Sequence, residues 1–576
     1  NISQKEIQKQ NFGLDLPFLL TATPSVLTTS DAGSGVGYTN IRVRGTDATR
    51  INITANGIPM NDAESHSIFW VNTPDLASSL EDMQIQRGAG TSTNGAGAFG
   101  ASINLRTAGI PSKAYAEVSG SYGSFNTHKE TVRVGSGLLG NHWAFDARIS
   151  NIQSDGYRDR ATSDLKSYFL QGGYYGENTT LKLIAFGGKE KTYHAWDGIS
   201  REQLETDRTY NPNGAIKDDN LNKGNIIGFY DDQTDNYEQT NYQLIFNHLF
   251  SPEWHLNIAL HYTDGFGYYQ EYKNGRTLEE YGLKPFYLPE NTEAQTKTNL
   301  VRQKLVDSGF GGGVFSVDYK DEKLSASLGG GLNHYSNDHY GKVIWVKNYT
   351  EPLNPDHEYY RNNGSKTDGN IYAKANYQIT KGLHAYADLQ YRYISYKIEG
   401  DNDKWDWTAD PGHLQRLNVN EDFSFFNPKA GLFWQFNPNH SAYASFAVAQ
   451  KEPTRNNYTD GLFDELPRPE KMLDYELGYT FRNSRFTAGV NLYYMDYTDQ
   501  LVLNGKVNDI GEAMAENVKD SYRMGIELSL GARITDWLRW DLNGTWSKNR
   551  IKNYTGYMSD YNQNWKELYT QTAIYA

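Results

Sequence analysis

The sequence predicts an all-β transmembrane barrel with a small α+β unit at its N-terminal end. Three observations carry this: composition, a period-two alternation, and an asymmetry between the two sets of connections. The 576 residues contain 43 Tyr, 24 Phe and 12 Trp, yet only 38% are hydrophobic. That is too aromatic for a disordered chain and too poor in aliphatics for an ordinary soluble core. No run approaches the ~18 apolar residues of a spanning helix. A barrel strand needs only alternate residues to be apolar, so a hydrophilic average leaves a membrane open. The absence of Cys excludes disulfides, thiolate metal sites and thiol catalysis. The balance of 55 basic against 69 acidic residues, with no basic run, argues against nucleic acid.

The alternation begins near residue 113. In WAFDARIS, Trp143, Phe145, Ala147 and Ile149 share one face and Asp146, Arg148 and Ser150 the other. YELGYTF (Tyr475 to Phe481) and LRWDLNGTW (Leu538 to Trp546) repeat the pattern. The aromatic rows fit either a core or lipid, and alternation alone does not decide between them. The connections do more. Tight turns are expected near Asn178, Ser251, Lys320, Thr380, Asn437, Arg482 and Thr535. Long polar loops are expected over 199–236, 273–296, 347–369, 399–422, 451–470, 500–518 and 551–567. Short turns at one end and long loops at the other describe an outer-membrane barrel, and Tyr268, Tyr269, Tyr391, Tyr393, Tyr493 and Tyr494 suit its interfacial girdles. About 18 strands are expected after residue 113. The final run, ELYTQTAIYA, has no return strand, so the last strands of the barrel are expected beyond Ala576.

Residues 1–111 read differently. ISQKEIQKQ suggests a short helix and DLPFLLTATPSVL a second one broken by Pro17 and Pro24. Short strands follow at NIRVRG, INITANGIPM, DMQIQRG and ASINLRT. The segment GAGAFG (95–100) is literally a dinucleotide fingerprint, but alternation rather than a helical stripe follows it. Its glycines read as turn and packing positions. A unit of this size fits inside a barrel too wide to be filled by its own side chains, so 1–111 is expected to be a plug and 112–576 the barrel.

Residues 40–62 (NIRVRGTDATRINITANGIPMND) and 80–107 (LEDMQIQRGAGTSTNGAGAFGASINLRT) resemble the plug of TonB-dependent outer-membrane receptors, and EKMLDYELGY and YRMGIELSLG extend the likeness into the barrel. The resemblance implies a 22-stranded barrel in the outer membrane of a Gram-negative bacterium, and energy-coupled import. TonB, with ExbB and ExbD, would pull on an N-terminal box lying before Asn1, and a surface lipoprotein is a further potential partner. It also implies a plug–barrel latch of Arg44 and Arg87 with Glu476 and Glu527. The residues agree, since both glutamates oppose apolar neighbours and so point into the lumen. No Ser/His/Asp set or carboxylate pair calls for catalysis.

Candidate ligand contacts are Tyr38, His66, Phe69 and Trp70 in the plug, and Tyr193, His194, Trp196, Trp405 and Trp407 in the loops. Aromatic loops with scattered Arg and Lys suit an anionic ferric siderophore. Haem is disfavoured because KEPTRNNYTDGLFDELPRPEK lacks the histidine that haem receptors of this family carry there. Cobalamin stays open, with Asp218, Asp219, Asp231, Asp232 and Asp235 as a possible loop Ca²⁺ cluster, although solvated loop acids explain them as well. From other classes, a passive porin would lack the plug and a soluble β-rich binding protein would not partition with membranes.

Overall fold

In the computed structural model, residues 1–576 are described except 96, 220, 290–291, 407–408, 461–465, 508–512, 553, 555, 561–565, 571–573 and 576. Among the described residues, seventeen barrel strands, from Ala114–Tyr122 to Arg539–Ile551, each pair antiparallel with the next barrel strand in sequence. The two-residue strand Ile574–Tyr575 lies between the last and the first and closes the sheet into a barrel.

Exposure settles which face is which. Trp143 and Phe145 are 52% and 50% exposed, whereas Asp146 and Arg148 are 4% and 1% exposed. Tyr475, Leu477 and Tyr479, and likewise Trp540, Leu542 and Trp546, also point outward. A charged inside and an apolar outside invert the soluble arrangement, and only lipid makes that inversion favourable. Arg in place of outward Leu183 should therefore cost roughly 2–4 kcal/mol if it lies at mid-depth, less toward the rims. Urea unfolding of the refolded barrel in lipid vesicles reads this out, and Thr in place of inward Ser167 should be nearly silent in the same assay.

The seven tight turns fall where expected. Several use side-chain caps: Asn483 Oδ1 accepts from the Arg485 and Phe486 amides at 2.9 and 2.6 Å, and Asp321 Oδ1 from Lys323 and Leu324 at 2.8 and 2.7 Å. Three of the long connections are shorter than polarity suggested. The strands Glu358–Thr380, Leu383–Asp406, His413–Asn437, Phe486–Val507 and Ala513–Arg533 occupy much of 347–369, 399–422 and 500–518. Polarity marks where a strand leaves the apolar layer, but the backbone ladder continues beyond it. Two expected girdle residues also turn inward. Tyr269 and Tyr493 face the lumen, because neighbours on a strand point to opposite faces and Tyr494 takes the outward position.

The N-terminal unit sits in the lumen. Its helix Gln4–Gln8 forms as expected, but Leu16–Leu20 is a short 3₁₀ turn, and beyond Pro24 the chain forms a strand, Val26–Ser30, paired with Thr39–Val43. A five-stranded mixed sheet is ordered Ile2–Ser3, Leu80–Arg87, Ala101–Thr107, Ile51–Ala55, Ile58–Pro59. Ile41, Ile51, Ile53, Met83, Ile103 and Leu105 form its core. After GAGAFG the chain enters the strand Ala101–Thr107 directly, and Gly95 takes a positive φ of 105° packed against Asn52.

Candidate functional site

The plug meets the barrel wall through buried charges. The strand Thr39–Val43 ends at Arg44 and Gly45, whose positive φ values of 51° and 73° turn the Arg44 guanidinium toward the wall. Arg44 donates from Nε and Nη2 to Glu527, both at 3.0 Å, and from Nη1 to Glu476 at 2.7 Å. Its Cζ lies 4.1 Å from the centroid of the Tyr493 ring. Arg87 approaches Glu527 with Nε at 3.3 Å and donates to the Pro24 carbonyl. At Gly88 any Cβ would run into the Asp474 and Glu476 carboxylates, and the Ala89 amide donates to Asp474 at 2.8 Å. The structure thus brings all four expected latch residues together.

Further pairs that sequence reasoning missed anchor the plug. Asp75 receives Lys129 at 2.5 Å and Arg148 at 2.8 Å, and Arg50 pairs with Glu470. Ser92 donates its amide and hydroxyl to Asp388 at 2.8 and 2.6 Å. Each barrel partner sits on an inward parity, the one signal that could have found it.

Two cavities flank the plug segment 59–63. One, of about 700 Å³, opens toward the long-loop end; the other, of about 450 Å³, lies toward the short turns. Pro59, Asn61, Asp62 and Ala63 line both, so this segment partitions the lumen. The end of this segment and the residue after it are tied to the wall. Tyr335 donates to Asp62 at 2.8 Å, and Lys366 to the Ala63 carbonyl at 2.7 Å. Glu64 receives Arg455 at 2.9 Å, His339 at 2.6 Å and Tyr396 at 2.9 Å. Burial alone would raise the Glu64 carboxyl, but His339 and Arg455 outweigh it and hold it well below the usual carboxylate range.

Of the expected ligand contacts, Tyr38, Phe69 and Trp196 line the larger cavity. Their rings meet edge to face, with Tyr38 6.4 Å from Phe69 and 6.3 Å from Trp196 between centroids. The Tyr38 hydroxyl donates into the pair Asp235 and Glu190. The others lie elsewhere. Trp70 is in the plug core, since adjacent Phe69 takes the cavity side. Tyr193 is buried, and its hydroxyl donates to the Tyr230 carbonyl at 2.9 Å. His194 is buried beneath Trp196, with ring centroids 4.0 Å apart, so it supports the wall without lining it. Trp405 packs against Gly412, and Trp407 lies outside the described residues. His66 lines the smaller cavity, buried among Lys366, Lys451 and Glu452. Residues not anticipated include Tyr237, Tyr269, Lys304, Tyr335, Tyr360 and Asp403.

The five loop aspartates do not converge. Asp218 and Asp219 accept from the Asn225 and Lys223 amides, Asp232 pairs with Lys191, and Asp235 lies under Tyr38. Among the described residues no group of three or more His or acidic side chains is placed to hold a metal ion.

A charged, plugged lumen inside an apolar-faced barrel is the architecture of a gated outer-membrane transporter. Residues 173–573 match the TonB-dependent receptor-like β-barrel and residues 1–102 the TonB-dependent receptor plug domain; the chain belongs to the TonB-dependent receptor family, whose barrels sit in the outer membrane of Gram-negative bacteria. It is 22% identical to the ferric enterobactin receptor of Pseudomonas aeruginosa over 604 aligned positions, covering 95% of this chain and 76% of that one. Among solved structures it resembles the ferric-catecholate import receptor Fiu of E. coli K12, at a TM-score of 0.70 and 18% identity over 99% of this chain and 82% of that one. It also resembles the copper transporter OprC, at 0.69 and 14% identity over 93% and 78% of the two chains.

Proposed function

We propose that this receptor binds a ferric siderophore in the 700 Å³ cavity and passes it into the periplasm in a TonB-driven step that displaces the partitioning plug segment. The supporting observation is the cavity itself: aromatic-walled, open at the long-loop end and floored by a plug segment held to the barrel by ionic contacts. Its volume lies within the range of small-molecule sites. The likeness to a ferric enterobactin receptor over nearly the whole chain points the same way. A passive porin fits poorly with a lumen filled by a folded plug.

In this reading Arg44 and Arg87 with Glu476 and Glu527 hold the plug at rest, and Tyr38, Phe69 and Trp196 contact the ligand. TonB, energised by ExbB and ExbD, supplies the pull. Metal analysis and mass spectrometry of receptor purified from iron-starved cells should find iron with an organic chelator. Cobalt with a corrin, or copper without a chelator, would overturn the assignment.

A further inference from the structure

The cavity's charge runs opposite to what an anionic chelate needs. Its lining carries the carboxylates of Asp31, Asp62, Glu64, Asp235, Asp403 and Asp460 against the cations Lys304, Lys404 and Arg455. Each of those cations is already engaged by a carboxylate of the same lining: Lys304 by Asp403, Lys404 by Asp460 at 2.5 Å, and Arg455 by Glu64 at 2.9 Å. His339 also faces Glu64. A ligand carboxylate or catecholate that recruited one of these cations would leave its present partner unpaired in a buried site, which is unfavourable.

The surplus is negative. Asp62 is satisfied by the Ser65 amide at 2.7 Å and the Tyr335 hydroxyl at 2.8 Å, with no Lys or Arg paired to it among the described residues. Asp235 shares the Tyr38 hydroxyl with Glu190. Six acids therefore face three Lys or Arg side chains in this lining. The rest of the wall is electron-rich: Tyr38, Phe69, Trp196, Tyr237, Tyr269 and Phe310 line the space. Aromatic rings beside uncompensated carboxylates favour cations and neutral groups and repel anions.

We propose that the receptor takes a neutral or net-cationic ferric chelate, of the trihydroxamate class, and discriminates against trianionic tris-catecholates through Asp62 and Asp235. This rests on the siderophore reading above. It also replaces the expectation that scattered Arg and Lys make the site suit an anion, because those cations are spent within the wall.

The test titrates purified full-length receptor with three ferric probes, following tryptophan quenching, for which Trp196 is in place. The probes are a linear trihydroxamate bearing one ammonium group, a neutral cyclic trihydroxamate, and a tris-catecholate. The first two should bind about tenfold or more tighter than the third. Added salt should weaken the cationic probe and leave the neutral one nearly unchanged, a readout that needs no variant. Asp62→Asn and Asp235→Asn should each narrow the preference for the cationic over the neutral probe. Tightest binding of the tris-catecholate, or an order untouched by salt and by both substitutions, would overturn the charge assignment while keeping the siderophore reading. Binding of none of the three would overturn the siderophore reading itself.

Discussion

Glu527→Gln should loosen the plug far more than Glu476→Gln, although the two glutamates share the same arginine. Glu527 accepts from Arg44 twice, lies 3.3 Å from Arg87 and receives the Ser25 hydroxyl at 2.5 Å. Glu476 receives Arg44 at 2.7 Å, with a weaker second contact at 3.4 Å, and the Tyr443 hydroxyl at 3.1 Å. Losing Glu476 leaves Arg44 its two bonds to Glu527. Losing Glu527 deprives Arg87 of its carboxylate and leaves Arg44 with Glu476. Breaking one partner of a buried ion pair costs about 3–5 kcal/mol, and that figure belongs to Glu527→Gln. For Glu476→Gln a loss of about 1.5–3 kcal/mol is expected, the range for a charged hydrogen bond in a site that keeps its main pairing.

Ion leak through the variants in planar bilayers, together with protease access to residues 80–100, measures the effect. Because truncation penalties exceed the net worth of a pair, the Arg87→Gln, Glu527→Gln double variant should recover part of the loss. Equal leak from the two single variants would refute the ranking, and no leak from either would refute the latch.

Some of this geometry was legible in the sequence and some was not, for identifiable reasons. Arg44 and Glu527 were readable because a short motif fixed the arginine and alternation fixed the side of the sheet on which the glutamate stands. The barrel was readable because its faces alternate and its turns carry side-chain caps such as Asn483. The cavity wall was not. Tyr237, Lys304 and Tyr360 look like any inward residue of a long strand, and only the register between distant strands brings them to one level. The reverse error affected Trp70, Tyr193 and His194. A large aromatic in a loop reads as a ligand contact, yet burying 150–250 Å² of ring is reward enough to pull it into local packing. Ion pairing across strands was not legible either, since a lysine in sequence does not show that an aspartate of another strand already faces it, as Asp403 faces Lys304.

Lowering the pH from 7 to 5 should weaken the seating of the partitioning plug segment, and His66→Asn should remove most of that dependence. His66 is buried, with Lys366 Nζ 2.9 Å from Nε2, Glu452 3.2 Å from Nε2 and Lys451 against Nδ1. A neutral ring can accept from Lys451 at Nδ1 or from Lys366 at Nε2, and a doubly protonated ring can do neither. Burial first, and then Lys366 and Lys451, drive its pKa well below the ordinary value, with Glu452 opposing. The sign follows from linkage. Once the segment lifts, the ring regains a pKa near ~6.5, so below that pH the released state binds a proton that the seated state refuses. Seating is therefore unaffected by this group above the free-ring value, and weakens as pH falls beneath it by at most about 1.4 kcal/mol per unit. Glu64 acts in a separate, more acidic window, because its depressed carboxyl keeps its pairing until pH falls through the carboxylate range. Asp15, pushed up to about 8 by burial within the plug, where Thr39 caps it, is common to both proteins and cancels from their difference. Asn is the substitution of choice because His66 has φ of 60°, a conformation that Asn tolerates better than other side chains. Amide exchange of residues 59–67 should rise as pH drops from 7 to 5 in the parent, after correction for intrinsic rates, and change little in His66→Asn. Parallel pH profiles in the two proteins would mean that His66 does not set the strength of the partition.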